Sequence, residues 1–92
     1  MVGVGDIAEQ ARYIFHKMER ILGEIGAGLH NIVETTEYVT TFEGYEKTAD
    51  VRREVFGAGP YPAASGILVS GLVRPKALIE IKAVAVLDEK QL

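Results

Sequence analysis

Glu80 is the residue of this chain whose setting most invites chemistry. It stands in the run Ala77-Leu78-Ile79-Glu80-Ile81-Lys82-Ala83-Val84-Ala85-Val86-Leu87, where apolar side chains dominate and the only charges lie two residues apart. The period-two spacing of a strand puts Glu80 and Lys82 on one face with Leu78, Val84 and Val86. Ile79, Ile81, Ala83, Ala85 and Leu87 make the other face, which carries no charge and is expected to be core. A carboxylate among apolar neighbours needs a cation or a ligand to offset its lost hydration. Either Glu80 is a structural group paired with Lys82 or a neighbouring subunit, or it addresses a ligand; both readings stand.

Other reactive types are sparse. There is no cysteine, so disulfides, thiolate chemistry and zinc-finger arrangements are excluded. His16 lies beside Lys17, off the apolar stripe of its helix, with no second ligand at helical spacing, and is expected to be solvated rather than metal-bound. Met1-Val2-Gly3-Val4-Gly5 lacks the third glycine and the preceding strand of a dinucleotide fingerprint, so it is expected to be a lead-in. No metal and no cofactor are expected.

The elements that would position Glu80 can be taken in order. Asp6 with Glu9 forms a capping-box pair, and Ile7, Ala11, Ile14, Phe15, Met18, Ile21, Leu22 and Ile25 then recur at helical spacing until Gly26 and Gly28. Asn31 to Thr41 is rich in β-formers and is expected to be a strand with one polar face. Glu43 to Phe56 returns to helical spacing through Tyr45, Ala49, Arg52 or Val51, and Val55 or Phe56, with Glu46, Asp50, Arg53 and Glu54 as a solvated face, and Gly57 and Gly59 stop it. After the turn Gly57-Ala58-Gly59-Pro60-Tyr61-Pro62 come two strand runs, Ser65 to Leu72 and Ala77 to Leu87, with the first strand entered near Ala63.

A chain of 92 residues fits one domain over 1–92. The net charge of −3 offers no basic footprint for nucleic acid, and the apolar runs are too short for a bilayer helix, so a cytoplasmic protein is expected. The economical packing is α+β, with the helices on one face of a small mixed sheet. The bare face would then be covered by copies of the chain, with Leu68, Ile79, Ile81 and Val84 in or beside the contact and Glu80 near a seam.

Several segments together resemble the reactive-intermediate (enamine/imine) deaminase family, YjgF-type, also called the endoribonuclease L-PSP or translation inhibitor family. They are Glu9-Gln10-Ala11-Arg12, Ile21-Leu22, Asn31 through Thr40, Val55-Phe56, Tyr61-Pro62-Ala63-Ala64-Ser65 and Leu78 through Ala85. The last two are similar to the family's Pro-Ala-Arg-Ser and Val-Glu-Ile-Glu-Ala-Ile-Ala signatures. The resemblance implies a chorismate-mutase-like homotrimer with ligand clefts between subunits. It implies a catalytic role for Glu80, which would help position the attacking water, and places Tyr61, Ala64 and Ser65 at the ligand. The family's carboxylate-clamping arginine falls on Ala64, its second strand glutamate on Lys82, and its amino-terminal strands have no counterpart before the first helix. An arginine offers a carboxylate a two-pronged fork; alanine offers none. The expected function is binding of a small metabolite, such as a carboxylate or imino acid, without the standard deaminase chemistry. The alternatives are an enamine/imine deaminase yielding ketoacid and ammonia, with Arg74, Lys76 or Lys82 as substitute cation, and an L-PSP-type endoribonuclease.

Overall fold

In a computed structural model of the protein, which describes residues 2 to 91, Asp6 has the extended backbone of an N-cap and its carboxylate accepts the Glu9 N–H at 3.1 Å. The expected capping box is half formed, because the Asp6 N–H donates to Gly3 O and the Glu9 carboxylate pairs with Arg12. Helix α1 then spans Ile7–Gly23. Gly26, at φ +75°, takes the chain out of the helix. A short 3-10 turn, Leu29–Asn31, leads into strand β1, Ile32–Val39; helix α2, Lys47–Phe56, follows, then β2, Ala63–Leu68, and β3, Ile79–Ala85.

These bounds shorten several expected elements. The second helix begins at Lys47 instead of Glu43, because Gly44 at φ +74° breaks the pattern and leaves Tyr45 on a turn. The strand expected from Asn31 to Thr41 stops at Val39, β2 at Leu68 rather than Leu72, and β3 runs Ile79–Ala85 rather than Ala77 to Leu87. Backbone pairing between β1 and β2 closes with Val69 N–H on Val39 O at 2.8 Å, so the residues after Val69 have no ladder to join.

The sheet has the order β2-β1-β3, with β1 parallel to β2 and antiparallel to β3. Residues in register share a face, so the rows can be read across. Ile79-Val39-Leu68, Ile81-Glu37-Gly66 and Ala83-Thr35-Ala64 lie on the helix side. Glu80-Tyr38-Ile67, Lys82-Thr36-Ser65 and Val84-Glu34-Ala63 lie on the open side. The division of β3 into a core face and a charged face is therefore as expected, Ile79 and Ile81 being buried and Glu80 and Lys82 exposed.

Ile7, Ala11 and Phe15 of α1 pack on Val39, Ile79, Ile81 and Val51 as one core, with the Phe15 ring edge-on to Phe56 at 5.4 Å. Each buried side chain of this size contributes about 1.5–3 kcal/mol through lost apolar surface. Two expectations need correction. Ile21 and Ile25, placed in the buried stripe, are exposed; the helix ends at Gly23, so Ile25 lies beyond it and leaves the stripe. Leu68, Ile79 and Ile81, expected at a contact between copies on the bare face, point to the helix side; of that set only Val84 faces outward from the open side.

Candidate functional site

The buried Gln10 side chain ties the start of α1 to the entry of β3. Its amide N–H groups donate to Gly3 O and Lys76 O at 3.1 Å, and its carbonyl accepts the Leu78 N–H at 2.7 Å. This clamp holds the turn before β3 against α1, and beside it lies a cavity of about 600 Å³. Glu80 and Arg74 both line it, with Tyr13, Ile14, Leu72 and Ile79 as apolar wall. Among the described residues neither the Glu80 carboxylate nor the Arg74 guanidinium has a hydrogen bond or ion pair, so the expected Glu80–Lys82 pair does not form. By strand parity the Glu80 side chain stands on the open face of the sheet, opposite Ile79, so Arg74 is the charged residue of this lining that can offer a small carboxylate a cation beside an apolar wall.

The other site residues named from the sequence do not all meet here. Ser65 is on the open face, in the row of Thr36 and Lys82 and next to the row of Glu80. Ala64 is on the opposite face, beside Thr35, whose buried hydroxyl oxygen has no hydrogen-bond partner. Tyr61 lies before β2, its hydroxyl donating to Gly57 O and its ring edge-on to Phe56 at 6.4 Å. Within one chain, Ala64 and Glu80 are thus separated by the thickness of the sheet and by the width of β1.

A second polar cluster escaped the sequence reading. Glu37 is fully buried on the helix side, where it accepts from Arg52 Nη1 at 3.2 and 3.1 Å and from the Tyr45 hydroxyl at 2.5 Å. Arg52 Nη1 also reaches Thr48 Oγ1 at 3.0 Å. Burial, and then the bond to Glu37, hold the Tyr45 hydroxyl above its ordinary pKa, since both favour the neutral phenol. Gly66 lies next to Glu37 in the sheet, and a Cβ there would stand 2.6 Å from the Tyr45 hydroxyl. The available signal was parity: Glu37 shares a face with Val39, so a strand with one buried face had to bury it. Glu54 is exposed, as expected of the solvated face, and also joins the helices by accepting from Arg12, which draws its carboxyl below the usual value. His16 is exposed near Glu19.

The chain matches the model of the family described as Endoribonuclease L-PSP over residues 1–87. It belongs to that family. A RutC family protein of Pyrococcus abyssi is 36% identical over 81 residues, covering 88% of this chain and 62% of that protein. A protein of Acinetobacter baylyi named 3-aminoacrylate deaminase RutC is 34% identical over 85 residues, covering 92% of this chain and 66% of that one. Among solved structures, a YjgF/YER057c/UK114 family member from Mycobacterium tuberculosis superposes with a TM-score of 0.81 at 35% identity, over 89% of this chain and 69% of that one. The chain therefore spans about three fifths to two thirds of the length of the curated relatives it matches. The likeness establishes the YjgF fold, two helices on a mixed sheet, for the residues present.

Proposed function

We propose that the protein binds a small carboxylate or imino acid in clefts between copies, as a cytoplasmic homotrimer, and lacks the standard imine deaminase activity. The observation that carries this reading is Ala64, a methyl group where the family signature has a guanidinium. The separation of Ala64 from Glu80 within one chain supports a site shared between subunits, because a small ligand touching both positions needs two copies. Glu80, Tyr61, Ala64 and Ser65 are its proposed residues.

Deamination is the second reading, and Arg74 favours it. Arg74 lines the same cavity as Glu80 and supplies a cation in place of the missing clamp, and one relative bears the name of a deaminase. Endoribonuclease activity has less support, for the net charge of −3 gives phosphates no basic surface. An assay of ammonia release from 2-iminobutyrate or 2-aminoacrylate decides between the first two. No turnover, with carboxylate affinity gained in Ala64→Arg, is the expected result. Turnover by the unmodified protein that is lost in Arg74→Ala would establish the deaminase instead.

A further inference from the structure

On the helix side, β2 has little side chain to show. The residues in register with Glu37 and Thr35 there are Gly66 and Ala64, a hydrogen and a methyl group, and both are exposed. Two side chains from the segment after β1 reach over them. The Tyr45 hydroxyl stands 2.6 Å from where a Cβ on Gly66 would lie, and Arg52 bonds Glu37, the neighbour of Gly66 in the sheet. Arg52 makes all its bonds through one nitrogen. Nη1 donates to both Glu37 oxygens and to Thr48 Oγ1, whereas Nε and Nη2 have no partner among the described residues. A guanidinium presents Nε–H and Nη2–H side by side along one edge, away from Nη1, and two parallel donors match the two oxygens of a carboxylate. The Arg52 side chain keeps 22% of its surface in solvent, and the donors it has left all belong to that edge.

We propose that Arg52 grips the carboxylate of the ligand, supplying from helix α2 the guanidinium that the family signature carries at the strand position held here by Ala64. The inference rests on the reading of the protein as a binder of small carboxylates, and it names the cation that this reading lacks. Ala64 and Gly66 lie two residues apart on one face, roughly 7 Å. A guanidinium held on Glu37 therefore stands next to the space that an arginine at position 64 would fill. The ligand class follows from the free edge: one carboxylate bound side-on by Nε and Nη2, with a short carbon chain over the Ala64 methyl.

The bonds to Glu37 suit Arg52 to this task. A loose arginine loses rotamer freedom when it closes on an anion, but Arg52 is already ordered by three bonds. The acid behind it weakens its field. The Tyr45 hydroxyl, however, donates to the same carboxylate at 2.5 Å and takes up part of that charge. Directed donors then carry the recognition, which favours a planar carboxylate over a diffuse negative charge. The other arginines are placed less well. Arg12 is engaged by Glu9 and Glu54, Arg53 by Asp50, and Arg74 lines the cavity at β3, across β1 from Ala64.

Calorimetric titration of the full chain with 2-oxobutyrate, at one fixed protein concentration, tests this, with the neutral methyl ester of the same acid as comparison. The unmodified protein should bind the acid and not the ester. Arg52→Ala alone is a poor probe, because it leaves Glu37 buried without its cation. Glu37→Leu/Arg52→Leu removes both charges, so it should stay folded by circular dichroism and weaken 2-oxobutyrate binding about ten- to a hundredfold. Arg52→Lys keeps the charge but not the fork, and should weaken binding about tenfold. Arg53→Ala removes a neighbouring surface arginine and should bind like the unmodified protein. In NMR spectra of the unmodified protein the Arg52 Nε–H signal should move with the acid and stay with the ester, a readout that holds even where the double variant does not fold. Unchanged affinity in the folded double variant, or an Arg52 signal that the acid does not move, overturns the proposal and leaves the carboxylate reading standing. An equal loss in Arg53→Ala overturns it too, since surface charge alone would then explain the affinity. No binding of 2-oxobutyrate by the unmodified protein overturns both.

Discussion

Replacing Arg52 by alanine should be among the most damaging single changes to this domain, although the Arg52 side chain is only partly buried. The Glu37 side chain has no exposure at all, while that of Arg52 keeps 22%. Removing Arg52 deletes both contacts to the Glu37 carboxylate, at 3.2 and 3.1 Å, and leaves a buried acid with the Tyr45 hydroxyl as its remaining donor. Breaking a buried pair costs about 3–5 kcal/mol. The partial exposure of Arg52 and the surviving Tyr45 bond reduce this to about 2–4 kcal/mol. A domain of this size shifts about 4–8 °C per kcal/mol, so Tm should fall about 10–25 °C. Urea and thermal unfolding at one fixed protein concentration measure it, since any association moves the midpoint. The double variant Glu37→Leu/Arg52→Leu should recover most of the loss, because apolar groups of similar volume need no partner. A loss below about 1 kcal/mol in Arg52→Ala, or a double variant no more stable than the single, would refute the account.

Two further outcomes test the same cluster. Gly66→Ala puts a methyl 2.6 Å from the Tyr45 hydroxyl, which is held by Glu37, and should cost about 1–3 kcal/mol; Tyr45→Phe in the same chain should relieve the clash, and an additive loss would disprove it. The Tyr45 phenol has a raised pKa in the fold, so its contribution is complete below the ordinary tyrosine value of 10.0 and is lost as pH rises through the raised one. Stability should fall at alkaline pH less steeply in Tyr45→Phe than in the unmodified protein, as denaturant midpoints against pH would record.

Much of the fold was legible because it depends on short-range pattern. The stripe from Ile7 to Phe15, the cap at Asp6 and the alternation from Ile79 to Ala85 are local geometry, and period alone assigns their faces. The signals failed where the stop was set by a neighbour. Tyr45 fits the helical spacing of the second helix, yet Gly44 and the bond to Glu37 keep it on a turn. Ile21 and Ile25 continue the stripe of the first helix by spacing, but the helix stops at Gly23 and both side chains are exposed.

The candidate site divides in the same way. The residue types at Glu80, Ala64 and Arg74, and the loss of a guanidinium from the signature strand, are properties of the sequence. That Glu80 and Arg74 share a cavity follows from the Gln10 clamp between the start of α1 and Leu78, residues 68 apart in the chain. That Glu37 meets Arg52 follows from the path of α2 from the end of β1 over to β2, which no periodicity encodes. Spacing along the chain specifies which way a side chain points within its own element. What it points at depends on strand register and on the packing of a second element, which distant contacts decide together.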